Sequence, residues 1–109
     1  SLPKVDIIYG YQDVDASLLE NAIENGAQGI VIAASGNGSV PDRMDNAVQQ
    51  AMEDGIPIVR STRTGNGIVS AKEMGIGSGV YNPQKARILL SLALSESSDM
   101  DTIRSYFEN

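Results

Sequence analysis

The chain has 109 residues, with 41% hydrophobic and 20% charged side chains, a profile that fits one globular domain with a core of its own. Fourteen acidic against eight basic residues give a net charge of −6, which repels phosphate backbones and anionic lipid and argues against nucleic-acid and membrane partners. With no histidine and no cysteine, the sequence lacks disulfides, thiolate metal sites, the usual zinc ligand and any Ser-His pair.

In chain order, Val5-Asp6-Ile7-Ile8-Tyr9 reads as a first strand closed by Gly10. Asp15 is placed to cap a helix whose Leu18, Leu19, Ala22 and Ile23 share one face, stopped by Asn25-Gly26. Gly29–Ala34 is a second strand, and its unbroken apolar run suits a strand covered on both faces. After Gly36-Asn37-Gly38-Ser39, Pro41 fits the first turn of a helix with Met44, Ala47, Val48, Ala51 and Met52 as its buried stripe, ended by Gly55. Ile56–Val59 reads as a third strand with Pro57 at its start. A glycine-rich loop of about twenty residues follows, a length that in a compact domain points to function. Ser78–Tyr81 reads as a short fourth strand within it. Asn82-Pro83 opens a helix to about Leu94, apolar on so much of its girth that burial on more than one side is expected. Asp99 caps a last helix bearing Met100, Ile103, Tyr106 and Phe107.

Alternating apolar runs and amphipathic segments predict an α/β domain. The expected form is a Rossmann- or flavodoxin-like three-layer unit over residues 1–109, with a small parallel sheet of three to four strands. Ligands of such folds gather beyond the carboxyl ends of the strands, here at residues 10–14, 35–40 and 61–77. The turn Gly36-Asn37-Gly38-Ser39 precedes a helix and has free amides for an anion, but it lacks both the G-x-G-x-x-G spacing and the lysine of a phosphate loop. A plain turn and a polar or zwitterionic ligand site are the other readings. Glu73 is suited to recognising an ammonium group, or to being a solvated charge beside Lys72. Arg60 and Arg63 can grip a carboxylate; the preferred reading pairs them with acids across a subunit face. Asp6 and Asp13 do not make a phospho-acceptor site, because the second strand ends in Ala-Ala-Ser. Tyr9 and Tyr11 are read as packing or interface residues, and Asn82–Lys85 as a structural helix start.

Five ordered stretches together resemble the bacterial L-asparaginases, including the glutaminase-asparaginases. They are Tyr9-Gly10-Tyr11-Gln12-Asp13, Gly36-Asn37-Gly38-Ser39, Arg60–Gly67, Asn82-Pro83-Gln84-Lys85-Ala86-Arg87 and Tyr106-Phe107. They correspond to the smaller C-terminal domain of that family, about the last third of such an enzyme. The resemblance implies hydrolysis of L-asparagine, or L-glutamine, by a threonine nucleophile in an N-terminal catalytic domain absent from this chain. The catalytic threonine motifs of that domain, Thr-Gly-Gly-Thr-Ile and Gly-Thr-Asp-Thr, are missing here. It further implies a homo-oligomer, a close dimer within a tetramer, in which the C-terminal domain completes the neighbouring subunit's site. Ser39 and Glu73 are then the substrate-binding residues, with no catalytic residue in this chain, no metal and no cofactor. The resemblance leaves a periplasmic and a cytoplasmic location equally open. A non-catalytic flavodoxin-like module, for small-ligand binding or oligomerisation, is the alternative.

Overall fold

The computed structural model describes residues 2–10, 17–34, 42–62, 75–79 and 81–108. Four parallel strands, β1 (Val5–Gly10), β2 (Gly29–Ala34), β3 (Ile58–Thr62) and β4 (Ile76–Gly77), form one sheet in the order β1-β2-β3-β4. The helices are α1 (Ser17–Glu24), α2 (Asp42–Glu53), α3 (Pro83–Glu96) and α4 (Met100–Ser105). This is the α/β, three-layer arrangement expected from the sequence pattern.

Spatial order equals chain order, so the first two crossovers step the same way across the sheet. With one handedness for both, α1 and α2 must lie on the same face. Leu19 of α1 and Val48 and Ala51 of α2 accordingly pack with Ile8, Ile30, Ile32 and Ile58. On the opposite face, among the described residues, α3 and α4 return across the sheet, where Ala86, Leu90, Ala93, Ile103 and Phe107 meet Val5, Val31, Val59 and Ile76. The alternation of strand side chains sorts β2 between the layers, and its Ile30, Val31 and Ile32 are all fully buried.

The seat of α3 depends on a missing side chain. A Cβ on Gly29, the first residue of β2, would stand 2.9 Å from both Leu90 Cδ2 and Leu94 Cδ1. Glycine there lets two leucines of α3 settle directly on the strand backbone. At its start, α3 is capped by Asn82, whose Oδ1 accepts from the Lys85 N–H at 2.9 Å, with Pro83 in the first turn. Asp99 caps α4 in the same manner, as expected.

Several boundaries differ from the sequence reading. The third strand begins at Ile58, not Ile56, because Pro57 has no N–H for a ladder; its carbonyl instead accepts from the Ile30 N–H at 3.1 Å. The fourth strand is Ile76–Gly77 rather than Ser78–Tyr81. Ile76 is the buried side chain there and pairs with Val59, whereas Gly79, with φ +66°, turns the chain toward Tyr81. Leu18, expected on the buried face of α1, is 46% exposed, and Leu19 fills that place. The largest departure is in α3, which extends to Glu96 and is buried on one side only. Ile88 and Leu92 are 51% and 44% exposed. Asp15, Pro41 and the Met44 side chain lie outside the described residues.

Two outcomes follow from this packing. Gly75 has φ +84°, and a Cβ there would stand 2.9 Å from the Ile58 carbonyl oxygen. Gly75→Ala should therefore destabilise by about 2 kcal/mol or more, read from the urea midpoint, since the left-handed backbone and a backbone clash both oppose it. At Asp99, hydrogen bonds from the Thr102 backbone N–H and then from its hydroxyl hold the carboxyl below its ordinary value of 3.8. The unfolded chain thus binds more protons than the folded one as pH falls through and below that value, so this cap's stabilisation is lost on the acid side. Asp99→Asn keeps an acceptor without the titration, and should flatten the acid limb of a stability-versus-pH curve.

Candidate functional site at the carboxyl ends of the strands

Register brings three strand ends into line. Gly10 pairs with Ala34, and Ala34 with Thr62, so β1, β2 and β3 stop together at one edge of the sheet. The segments that follow these ends, residues 11–16, 35–41 and 63–74, overlap the three stretches expected to gather a ligand, 10–14, 35–40 and 61–77. Ser39 belongs to the second and Glu73 to the third. Both lie outside the described residues, as do Tyr11, Asp13, Gly36-Asn37-Gly38 and Arg63.

The described part of this edge is a buried, hydrogen-bonded base. Ser61, at the end of β3, and Ser78, just past β4, are fully buried. Both hydroxyls donate to the Tyr81 carbonyl, at 2.8 and 3.0 Å, and the Tyr81 N–H returns a bond to the Ser78 carbonyl at 3.3 Å. The Tyr81 ring meets Phe107 edge-on, with centroids 6.5 Å apart. Two strand ends, the start of α3 and the end of α4 are thereby clasped together. Sequence reasoning missed this role for Ser61 and Ser78. No local signal distinguishes a serine that clasps a remote carbonyl from one that lines a loop.

Arg60 corrects an expectation. The sequence places it at a subunit face, yet its side chain is only 1% exposed and, among the described residues, is the largest fully buried one. Two residues from Ile58 on β3, it shares Ile58's face and points into the α2 layer. Its Nε lies 3.6 Å from the Cβ position of Gly75, which Val48 also approaches. Among the described residues no buried side-chain nitrogen or oxygen lacks a hydrogen-bond partner, so this guanidinium is satisfied inside the domain. The signal was available: strand parity with Ile58 places residue 60 on a covered face. Tyr9, by contrast, is 45% exposed, one residue before β1 ends.

A cavity of about 380 Å³ lies elsewhere, between α1 and α2, with Leu19, Ile23, Ala47 and Ala51 as its apolar lining and Glu20, Glu24 and Asp54 among its polar residues. It is formed largely by the C-terminal halves of both helices, which lead to the beginnings of β2 and β3, away from the strand ends. Its lining includes no serine, threonine, lysine or tyrosine, and its titratable groups are carboxylates. Among the described residues there is no cluster of acidic side chains that could hold a metal ion, and no helix long and apolar enough to cross a membrane.

The sequence model described as "Glutaminase/Asparaginase C-terminal domain" matches residues 4–107. The chain is 48% identical over 111 residues to L-asparaginase 2 of Bacillus subtilis, an alignment covering 97% of this chain and 30% of that protein. To L-asparaginase 2 of Escherichia coli it is 35% identical, covering 97% and 32%. Its fold superposes with a TM-score of 0.90 and 37% identity on the crystal structure of a probable cytoplasmic L-asparaginase from Campylobacter jejuni, covering 98% of this chain and 37% of that one. The chain thus spans about a third of the length of these relatives.

The buried arginine makes the base of this edge testable. Arg60→Ala removes the largest buried side chain together with its hydrogen bonds, and should cost about 3 kcal/mol or more. Equilibrium urea unfolding checks it; a change within about 0.5 kcal/mol, the range of surface substitutions, would place Arg60 outside the supporting framework.

Proposed function

Because the chain belongs to the Glutaminase/Asparaginase C-terminal domain family, we propose that it serves as the C-terminal domain of an L-asparaginase, hydrolysing L-asparagine to L-aspartate and ammonia. The observation that carries this is the 48% identity to a Bacillus subtilis L-asparaginase across 97% of the chain. The amidase chemistry itself belongs to a second, N-terminal domain. There a threonine hydroxyl attacks the side-chain amide carbon, ammonia leaves, and water cleaves the resulting ester to release aspartate and regenerate the threonine.

This chain's part is recognition. Without histidine or cysteine it has few means of activating a hydroxyl at neutral pH, whereas carboxylate and hydroxyl contacts to an amino-acid substrate need no such base. Glu73 pairs with the substrate's α-ammonium, and Ser39 contacts the substrate from the turn after β2. Both act across a subunit interface, in a homo-oligomer built from close dimers into a tetramer, and neither a metal nor an organic cofactor takes part. An ammonium–carboxylate pair closed off from water at such an interface is stronger than the same pair in solvent. The in-line ends of β1 and β2 support this reading for Ser39, whose segment follows directly from Ala34.

Two measurements test it. The 109-residue chain alone should release no ammonia from L-asparagine, and should bind it poorly in calorimetry, because half a shared site binds weakly. Turnover, or micromolar binding by the isolated chain, would favour a self-contained module instead. In a polypeptide that also supplies the threonine motifs, Glu73→Gln should lower kcat/KM for L-asparagine by about 10- to 100-fold, the worth of one charged hydrogen bond. An unchanged value would remove Glu73 from the site.

A further inference from the structure

The end of α1 carries a residue pair whose chemistry the fold holds in check. Asparagine is a labile side chain, above all before glycine: the next backbone nitrogen can reach its amide carbon, and glycine puts no Cβ in the way. The sequence has three such pairs, Asn25-Gly26, Asn37-Gly38 and Asn66-Gly67, and the first lies among the described residues. There Gly26 takes φ +95°, and its N–H donates to the Ile23 carbonyl at 3.0 Å. The Ala27 N–H donates to the Ala22 carbonyl at 3.1 Å, and the Ala27 side chain is buried. This paired closure of the last helical turn occupies the Gly26 nitrogen, the atom that would have to attack.

A second tie comes from the residue before β1. Lys4 meets this turn twice, on either side of Gly26. Its ammonium donates to the Asn25 carbonyl at 2.9 Å, and its own carbonyl accepts from the Gln28 N–H at 2.8 Å. The ammonium also lies 4.0 Å from the Asp6 carboxylate, with the lysine side chain 50% exposed. A contact so open to solvent is of modest strength. A helix end held in this way opens far more often than the core beside it, and each opening frees the Gly26 nitrogen.

We propose that Asn25 is a site of spontaneous deamidation, gated by opening of the end of α1 and latched by Lys4. In the opened turn the Gly26 nitrogen gives up its proton to water or hydroxide and attacks Asn25 Cγ. The N–Cγ bond forms and the Cγ–Nδ2 bond breaks; the side-chain nitrogen takes a proton from water and leaves as ammonia. Water then opens the cyclic imide at one or the other carbonyl. One opening gives aspartate, the other isoaspartate with the main chain rerouted through Cβ. Nothing is oxidised or reduced, and water is the only co-reactant. Either product sets a new carboxylate beside Glu24 at the C-terminal end of α1, where the helix dipole opposes an anion. The rerouted chain also carries an extra backbone carbon that the closing bonds of Gly26 and Ala27 do not accommodate. The turn then closes poorly, and the change accumulates with the age of the molecule.

The test incubates the 109-residue chain at mildly alkaline pH and follows the peptide bearing residue 25 by mass spectrometry and by isoaspartate-specific methyl transfer. A parallel sample in guanidinium chloride reports the reaction without the turn. The expected result is conversion of Asn25 to mixed isoaspartate and aspartate in both, slower in the folded chain by about tenfold or more. Lys4→Met keeps the side-chain stem and removes the donor. It should speed the folded reaction by about 2- to 5-fold and leave the denatured one unchanged. Lys4→Arg, which keeps a donor, should stay near the parent rate, and so should Asp6→Asn, which removes the ion pair and spares the latch. An Asn25 still intact in the folded chain after about a hundred denatured-state half-lives overturns the proposal. Equal rates in the folded and denatured samples overturn it as well, as does indifference to Lys4→Met. Ammonia appears here once per site and without added substrate, so neither outcome bears on the amidase reading.

Discussion

Everything in the molecule follows from how the first two crossovers are forced onto one face. Strands laid down in chain order, with one crossover hand, put α1 and α2 together and leave the other side of the sheet open. Among the described residues it is closed by segments after β4, with α3 crossing the sheet and sitting close. Gly29 provides the clearance, and Leu90 and Leu94 occupy it. Burial of Val31, Val59 and Ile76, and so the existence of a two-sided core, depends on that one docking.

The straight strand order also bears on the site. In doubly wound folds a ligand crevice opens where the order reverses and neighbouring loops diverge. The four described strands contain no reversal, so their carboxyl ends form a single row, with Gly10, Ala34 and Thr62 side by side. Such a row presents residues outward along an edge and encloses little by itself. Under the proposed reading this is an advantage, because a second body supplies the opposite wall and the nucleophile, while this edge supplies recognition. Related chains that are about three times longer have the material for that wall.

Much of this was legible in the residues before the fold was in hand, and the misses have physical causes. The run Gly29–Ala34 announces a doubly covered strand because no polar side chain interrupts it, and its bounds are those observed. Asn82-Pro83 and Asp99 announce their helices through side-chain caps, which are local chemistry. β4 was placed two residues late because a two-residue strand has too few side chains to show a period. Arg60 was misread because charge was weighed ahead of strand parity. The girth of α3 was read as two-sided burial because an apolar pattern reports what tends to be covered without saying by which chain. Ile88 and Leu92 have the composition of a covered face and the exposure of an open one. Ser39 and Glu73 drew notice as residues of glycine-rich segments at strand ends; their roles came from the family resemblance, since spacing alone left a turn and a solvated charge as competing readings.

The clasp at Tyr81 joins these strands of argument. Hydroxyls from the end of β3 and from just beyond β4 meet on one carbonyl, and the next residue, Asn82, caps α3. The start of α3 is therefore fixed to the strand ends by buried hydrogen bonds, which cost far more to break than exposed ones. Further along, Leu90 and Leu94 fix the helix over Gly29. With two such attachments α3 has little freedom to rotate about its axis, and its direction is set relative to the strand ends. A site divided between subunits needs that property: its halves must be held at a fixed angle before any substrate arrives, or the binding energy of the substrate is spent on assembling them.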